Sequence, residues 1–141
     1  MMDITLAIAD QLAMIVPDAT IYRENQEQGF KEPSFYVYEI NATSQDEIME
    51  QQMRNHMYCI VWFPDSSLDD PGKKEQCERM RSTLLDEFLF IDGLSLKPMN
   101  REASIEQDVL NFTFKVRFKV REESTGENIR SLDIKGGLKH D

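Results

Sequence analysis

The sequence predicts an α+β fold: a mostly antiparallel β-sheet with two helices packed on one of its faces. Three observations carry that expectation. In the run 109–121, VLNFTFKVRFKVR, the apolar residues Leu110, Phe112, Phe114, Val116, Phe118 and Val120 alternate with polar or cationic ones. Successive side chains of a strand point to opposite faces, so this run builds one buried face and one polar face. Two other stretches, near the N-terminus and between Asp70 and Gly93, repeat apolar residues at helical spacing. The resulting order of helix, strands, helix, strands suits a sheet with its helices gathered on one side.

Each element has a local reason. In 4–16, Ile4, Ile8, Leu12 and Ile15 share a helical stripe, Asp3 or Thr5 is available at the start, and Pro17 ends the helix. Residues 20–22 form a short β-prone piece, and the polar stretch 25–32, with Gly29, reads as a loop. Pro33 then opens a strand, 34–42, because proline lacks only a donor that the first strand position can spare. In that strand Phe35, Tyr36, Val37, Tyr38 and Ile40 make both faces apolar or aromatic. The segment 45–63 has two readings. Met49, Met53 and Met57 are spaced four apart, as on a helix, whereas YCIVWF is rich in the aromatic and branched residues of strands. A strand over 52–63, antiparallel to the previous one, is the preferred reading; a helical turn at 46–50, within 45–57, is the alternative.

The turn-rich PDSSLDDPG at 64–72 leads into the second helix. Asp70 is its expected N-cap, Pro71 suits the first helical position and Glu75 the positive end of the helix dipole. Cys77, Met80, Leu84, Leu85 and Phe88 form its buried stripe, with Gly93 as terminator. A polar–apolar strand, 94–105, and a turn at Gln107 and Asp108 complete a hairpin with the alternating strand. Residues 1–122 therefore read as a single domain. Residues 123–141 read as a flexible C-terminal tail, in which Ile129, Leu132 and Ile134 are available to dock on a partner.

Composition excludes several functions. A net charge of −10 disfavours nucleic-acid binding, which depends on Lys and Arg neutralising phosphates. The phenylalanines of 109–121 lie opposite its cations, so they cannot be the base-stacking platform of an RNA-binding sheet. No run approaches the ~18 apolar residues of a membrane span, and acids stand where an export signal carries cations. Cys59 and Cys77 are thus expected as buried free thiols in a reducing compartment. The two histidines, His56 and His140, have no nucleophile beside them, so His56 is read as a strand-surface residue. Asp65, Asp69 and Asp70 fail the calcium-loop pattern, and Asp86, Glu87 and Asp92 fit a solvated helix face. No catalytic residue, cofactor or metal is expected, and the chain is not read as an enzyme.

The expected chemistry is protein contact. Lys115, Arg117, Lys119 and Arg121 form a cationic strip in an otherwise acidic chain. One reading makes it a contact for an acidic partner; the other makes it a solvated face balanced by Glu102 and Glu106. Trp62, Tyr36 and Tyr38 are read either as contact anchors or as core. Two helices cannot cover both apolar faces of the sheet, and this surplus predicts self-association.

Tyr22-Arg23-Glu24, followed by Gln28-Gly29-Phe30-Lys31-Glu32-Pro33-Ser34-Phe35-Tyr36-Val37, resembles the start of small tail terminator proteins of phages and prophages of Gram-positive bacteria. The likeness continues through Trp62-Phe63-Pro64, the acidic helix and the pattern Phe112-Thr113-Phe114-Lys115-Val116-Arg117-Phe118, covering about 4–122. The resemblance implies a non-enzymatic virion protein that forms a ring, commonly a hexamer, on the end of the tail tube. Its implied partners are copies of itself, the tail tube protein and the head–tail connector protein. Its implied places are the host cytoplasm during assembly and then the virion tail. The alternatives are another head–tail connector or adaptor protein and an unrelated cytoplasmic binding module.

Overall fold

The alternating run 109–121 becomes the centre of the sheet. The structure, a computed structural model, describes residues 3–122 and 130–133, with residue 122 and the last four described by backbone alone. The described residues form α1 (Ile4–Ile15), β1 (Thr20–Tyr22), β2 (Ser34–Glu47), β3 (Gln51–Phe63), α2 (Lys73–Glu87), β4 (Met99–Glu106), β5 (Val109–Glu122) and β6 (Arg130–Asp133). The sheet order is β1-β2-β3-β5-β4, with β6 also paired to β5. Only the β1–β2 pair is parallel. Of the expected tail, Arg130–Asp133 lies antiparallel to the end of β5, from Lys119 to Glu122. Ile129, Ile134 and His140 lie outside the described residues.

The even-numbered residues of β5 face the helices. Leu110, Phe112, Phe114 and Val116 are fully buried. Their β3 neighbours on the same face are Trp62, Ile60, Tyr58 and His56, and Phe35 and Val37 of β2 continue the rows. Ile4, Ile8 and Leu12 of α1 and Cys77 and Leu84 of α2 close over these rows, joined by Phe88 just beyond α2, in one cluster. Phe88 meets Phe112 edge-on at 5.8 Å and Phe114 at 5.0 Å. This is the α+β arrangement expected from the sequence. Burial pushes the thiols of both Cys59 and Cys77 above the ordinary range, and both are free and buried.

Asp3 caps α1, its carboxylate accepting the Leu6 N–H at 3.0 Å. That bond, with the Thr5 hydroxyl and Arg23, holds the Asp3 carboxyl below its ordinary value. The second helix departs from expectation at both ends. It starts at Lys73 with Gly72 as N-cap and no side-chain cap, so Asp70 and Pro71 lie in the preceding loop. Gln76 organises that loop instead. Its Oε1 accepts the Asp65 N–H at 2.8 Å, and its Nε2 donates to the carbonyls of Asp65 and Pro71 at 3.0 Å each. Gln76→Ala is expected to lower stability by about 2–3 kcal/mol, because backbone groups lose partners that water replaces poorly near a buried site. A reduced denaturant midpoint with an unchanged m-value would register it.

At the other end α2 stops at Glu87, with the Phe88 N–H bonded to the Leu84 carbonyl. Gly93 is not its terminator. A Cβ there would stand 3.5 Å from the Cβ of Ala7, an ordinary van der Waals contact, so the turn after α2 packs beside α1 without requiring glycine. The Asp92 N–H donates to Gln11 Oε1 at 2.8 Å, which fastens that turn to α1. Leu94 and Leu96 are buried within the turn, and β4 begins only at Met99, not at 94.

The 45–57 ambiguity resolves as strand. β2 runs to Glu47 and β3 starts at Gln51, and Met49 and Glu50 turn the chain with φ of 61° and 60°. A spacing of four residues is a multiple of the strand period as well as about one helical turn, so the methionines could not discriminate. Met53 and Met57 share the sheet face away from the helices, and Ile48 and Met49 sit exposed at the hairpin tip.

His56 is half-buried, more enclosed than a solvated strand-surface residue, and it also borders a cleft beside Lys115 and Arg117. Its side chain is 15% exposed, and its ring stacks on Phe118 at 5.1 Å. Beside it, the Tyr58 hydroxyl donates to Glu39 Oε1 at 3.3 Å. Burial first, and then the Glu39 charge, push the Tyr58 hydroxyl well above the ordinary 10.0. A raised folded-state value gives a contribution intact below the unfolded value and lost as pH rises through the folded one. Thermal melts between about pH 9 and 12 should therefore fall more steeply for the natural protein than for Tyr58→Phe. Parallel curves would contradict this.

Candidate protein-contact surface

The odd-numbered residues of β5 face away from the helices, and with them lies the candidate site. A bulge in β2 between Glu39 and Asn41 shifts the register by one residue. Tyr36 and Tyr38 lie on the outer face before it, and Asn41 and Thr43 come to that same face after it. One inserted residue thus unites two surfaces that simple alternation would place on opposite sides.

At one end of the outer face is an aromatic stack. Tyr36 and Tyr38 stack at 5.1 Å, and Phe30 lies 5.0 Å from Tyr36 and 4.8 Å from Phe63. Tyr22 meets Phe30 edge-on at 5.2 Å. Tyr36 is half-buried and Tyr38 is 36% exposed. Partial burial, with the neighbouring Cys59 thiol, pushes the Tyr38 hydroxyl up to about 12. Trp62 stands on the other face, 7% exposed, 6.4 Å from Phe35 in the helix-covered core.

At the other end is the cationic strip. Lys115 lies between Met57 on β3 and Met99 on β4, and Arg117 lies beside Asn55. Arg117 Nε donates to Asn55 Oδ1 at 3.1 Å, and Lys119 Nζ sits 3.4 Å from Glu47 Oε1. Arg121 lies opposite Gln51. Among the described residues Lys115 makes no ion pair. Glu102 and Glu106 do not neutralise the strip: they lie opposite Thr113 and Val109 and form no ion pair with its cations. Lys115 and Arg117 border a cleft of about 370 Å³ with Asn41, Thr43, Asn55, Met57 and Met99, and no carboxylate lines it.

The structure thus brings Tyr36, Tyr38, Lys115, Arg117, Lys119 and Arg121 to one face and leaves Trp62 on the other. Phe30 was missed by sequence reasoning, its only signal being a large aromatic inside a polar loop. The surface offers hydrogen-bond donors, two neighbouring cations and adaptable methionines. Such a face can hold a partner's carboxylates and apolar side chains; it brings together no nucleophile and base. Among the described residues no helix is long and apolar enough to cross a membrane, and no three His, Cys, Asp or Glu side chains gather as a metal site.

A family model described as phage tail terminator protein matches residues 3–128. The chain belongs to the phage tail terminator family. Its role is accordingly structural and lies in the phage tail. No curated protein matches the chain. The family match extends past the 4–122 expected from the resemblance and takes in β1 to β5.

Proposed function

We propose that this terminator-family chain caps the tail tube as a homo-oligomeric ring, hexameric as the family resemblance implies, and presents the surface to which the head connector joins. The observation that carries this reading is the one-sided sheet. The helices cover one face, while the other keeps Tyr38, Arg117 and the cleft open in a protein whose family works in the tail. Capping follows simply: a ring seated on the last tube ring replaces the surface that the next tube subunit would occupy. The chain's net charge of −10 keeps unassembled copies apart, so that the tube end templates assembly. On this reading residues 1–122 are the ring-forming domain, to whose sheet Arg130–Asp133 adds a strand, and assembly takes place in the host cytoplasm. Electron microscopy of lysates from a phage lacking this gene tests it. Over-long tails without heads, corrected by supplying the gene in trans, are expected. Tails of normal length joined to heads would overturn the reading.

A further inference from the structure

We propose that the Lys115–Arg117 cleft of one protomer receives the ridge at the C-terminal end of α2, residues 85–92, of a second copy of the chain. This rests on the ring reading above and names a contact within it. Leu85, Leu89 and Phe90 on that ridge are 36%, 48% and 40% exposed, though side chains of this size are ordinarily buried. Among and just beyond them stand the exposed acids Asp86, Glu87 and Asp92. From 82 to 96 the sequence contains no Lys or Arg, and none of these three carboxylates has an ion pair among the described residues. The nearby Arg101 is committed to the end of the helix, its Nη1 donating to the Leu85 carbonyl at 2.8 Å and the Phe88 carbonyl at 3.5 Å.

The cleft is the complement in charge and in texture. No acid lines it, and among the described residues Lys115 has no ion pair and Arg117 is held by the neutral Asn55 with no carboxylate paired to it. Met57 and Met99 flank Lys115, and unbranched thioethers reshape readily around an incoming leucine or phenylalanine. The ridge belongs to the helix layer and the cleft to the bare sheet face. Docking one on the other is therefore head-to-tail, the heterologous class of contact that makes a ring when its rotation closes, whereas a two-fold contact through the cleft would set cation against cation.

Sedimentation of the full chain over a concentration series, alone and with purified tail tubes, tests the contact. Both K115E/R117E and D86K/E87K are expected to weaken assembly by at least about tenfold, and their combination to restore it. Circular dichroism and melting confirm folding, and K115Q/R117Q replaces the first variant if it misfolds. Equal assembly by the natural chain and both charge variants, or a combination no better than either alone, overturns this contact and leaves the ring standing. A natural chain that stays monomeric even with tubes overturns both.

Discussion

Replacing Phe88 by alanine is expected to destabilise the domain by about 3–5 kcal/mol. The side chain is fully buried at the point where α2 ends and meets the sheet. It fills the space over Phe112 and Phe114 and is the aromatic through which the end of α2 reaches the middle of β5. Alanine there loses the transfer energy of a phenyl ring and leaves a cavity that rigid strands close poorly. The edge-on pair with Phe112 adds about 0.5–1.5 kcal/mol beyond burial. Phe90, two residues on and 40% exposed, is the natural control, and Phe90→Ala should change monomer stability by less than about 1 kcal/mol. Chemical denaturation measures both. Equal losses at the two positions would contradict the placement of the core.

Charge reversal of the strip is expected to have the largest effect on function. K115E/R117E exchanges two cations in a carboxylate-free cleft for two acids, on a chain already at −10. Neither residue reaches the helix-side core, because both lie on the odd-numbered face of β5, so melting should stay within about 1 kcal/mol of the natural protein. Like charges forced together at an interface cost several kcal/mol, and each 1.4 kcal/mol is about tenfold. The yield of infectious particles should fall by at least about a hundredfold on that scale, with tails accumulating unjoined. Normal yield from a folded variant would remove the strip from the contact.

The fold was legible where side-chain period and burial coincide. The face of 109–121, the capped start of α1 and most of the stripe Cys77, Met80, Leu84, Leu85 and Phe88 could be read from spacing, since each residue is decided by its near neighbours; of that stripe Leu85 is exposed. What could not be read depends on distant partners. The polar run 41–47 has no apolar alternation; it is a strand because β3 pairs with it along its whole length. Gln11 and Gln76 look like surface glutamines until the chain folds back and presents a turn or loop for each to hold. The bulge near Ile40 decides which β2 residues join the cations, and it leaves no mark in composition. Of the candidate site, the cations and two tyrosines were visible as a pattern, whereas the cleft was not. It arises from the register that sets Met57, Met99 and Asn55 beside them.

The claim that this terminator-family chain caps the tube is tested most directly by cryo-electron microscopy of tail tubes polymerised with the purified chain. A single additional ring at one end of each tube, with tube length fixed by when the chain is added, is the expected image. Tubes that grow equally long with the chain present, or carry it scattered along their sides, would contradict it.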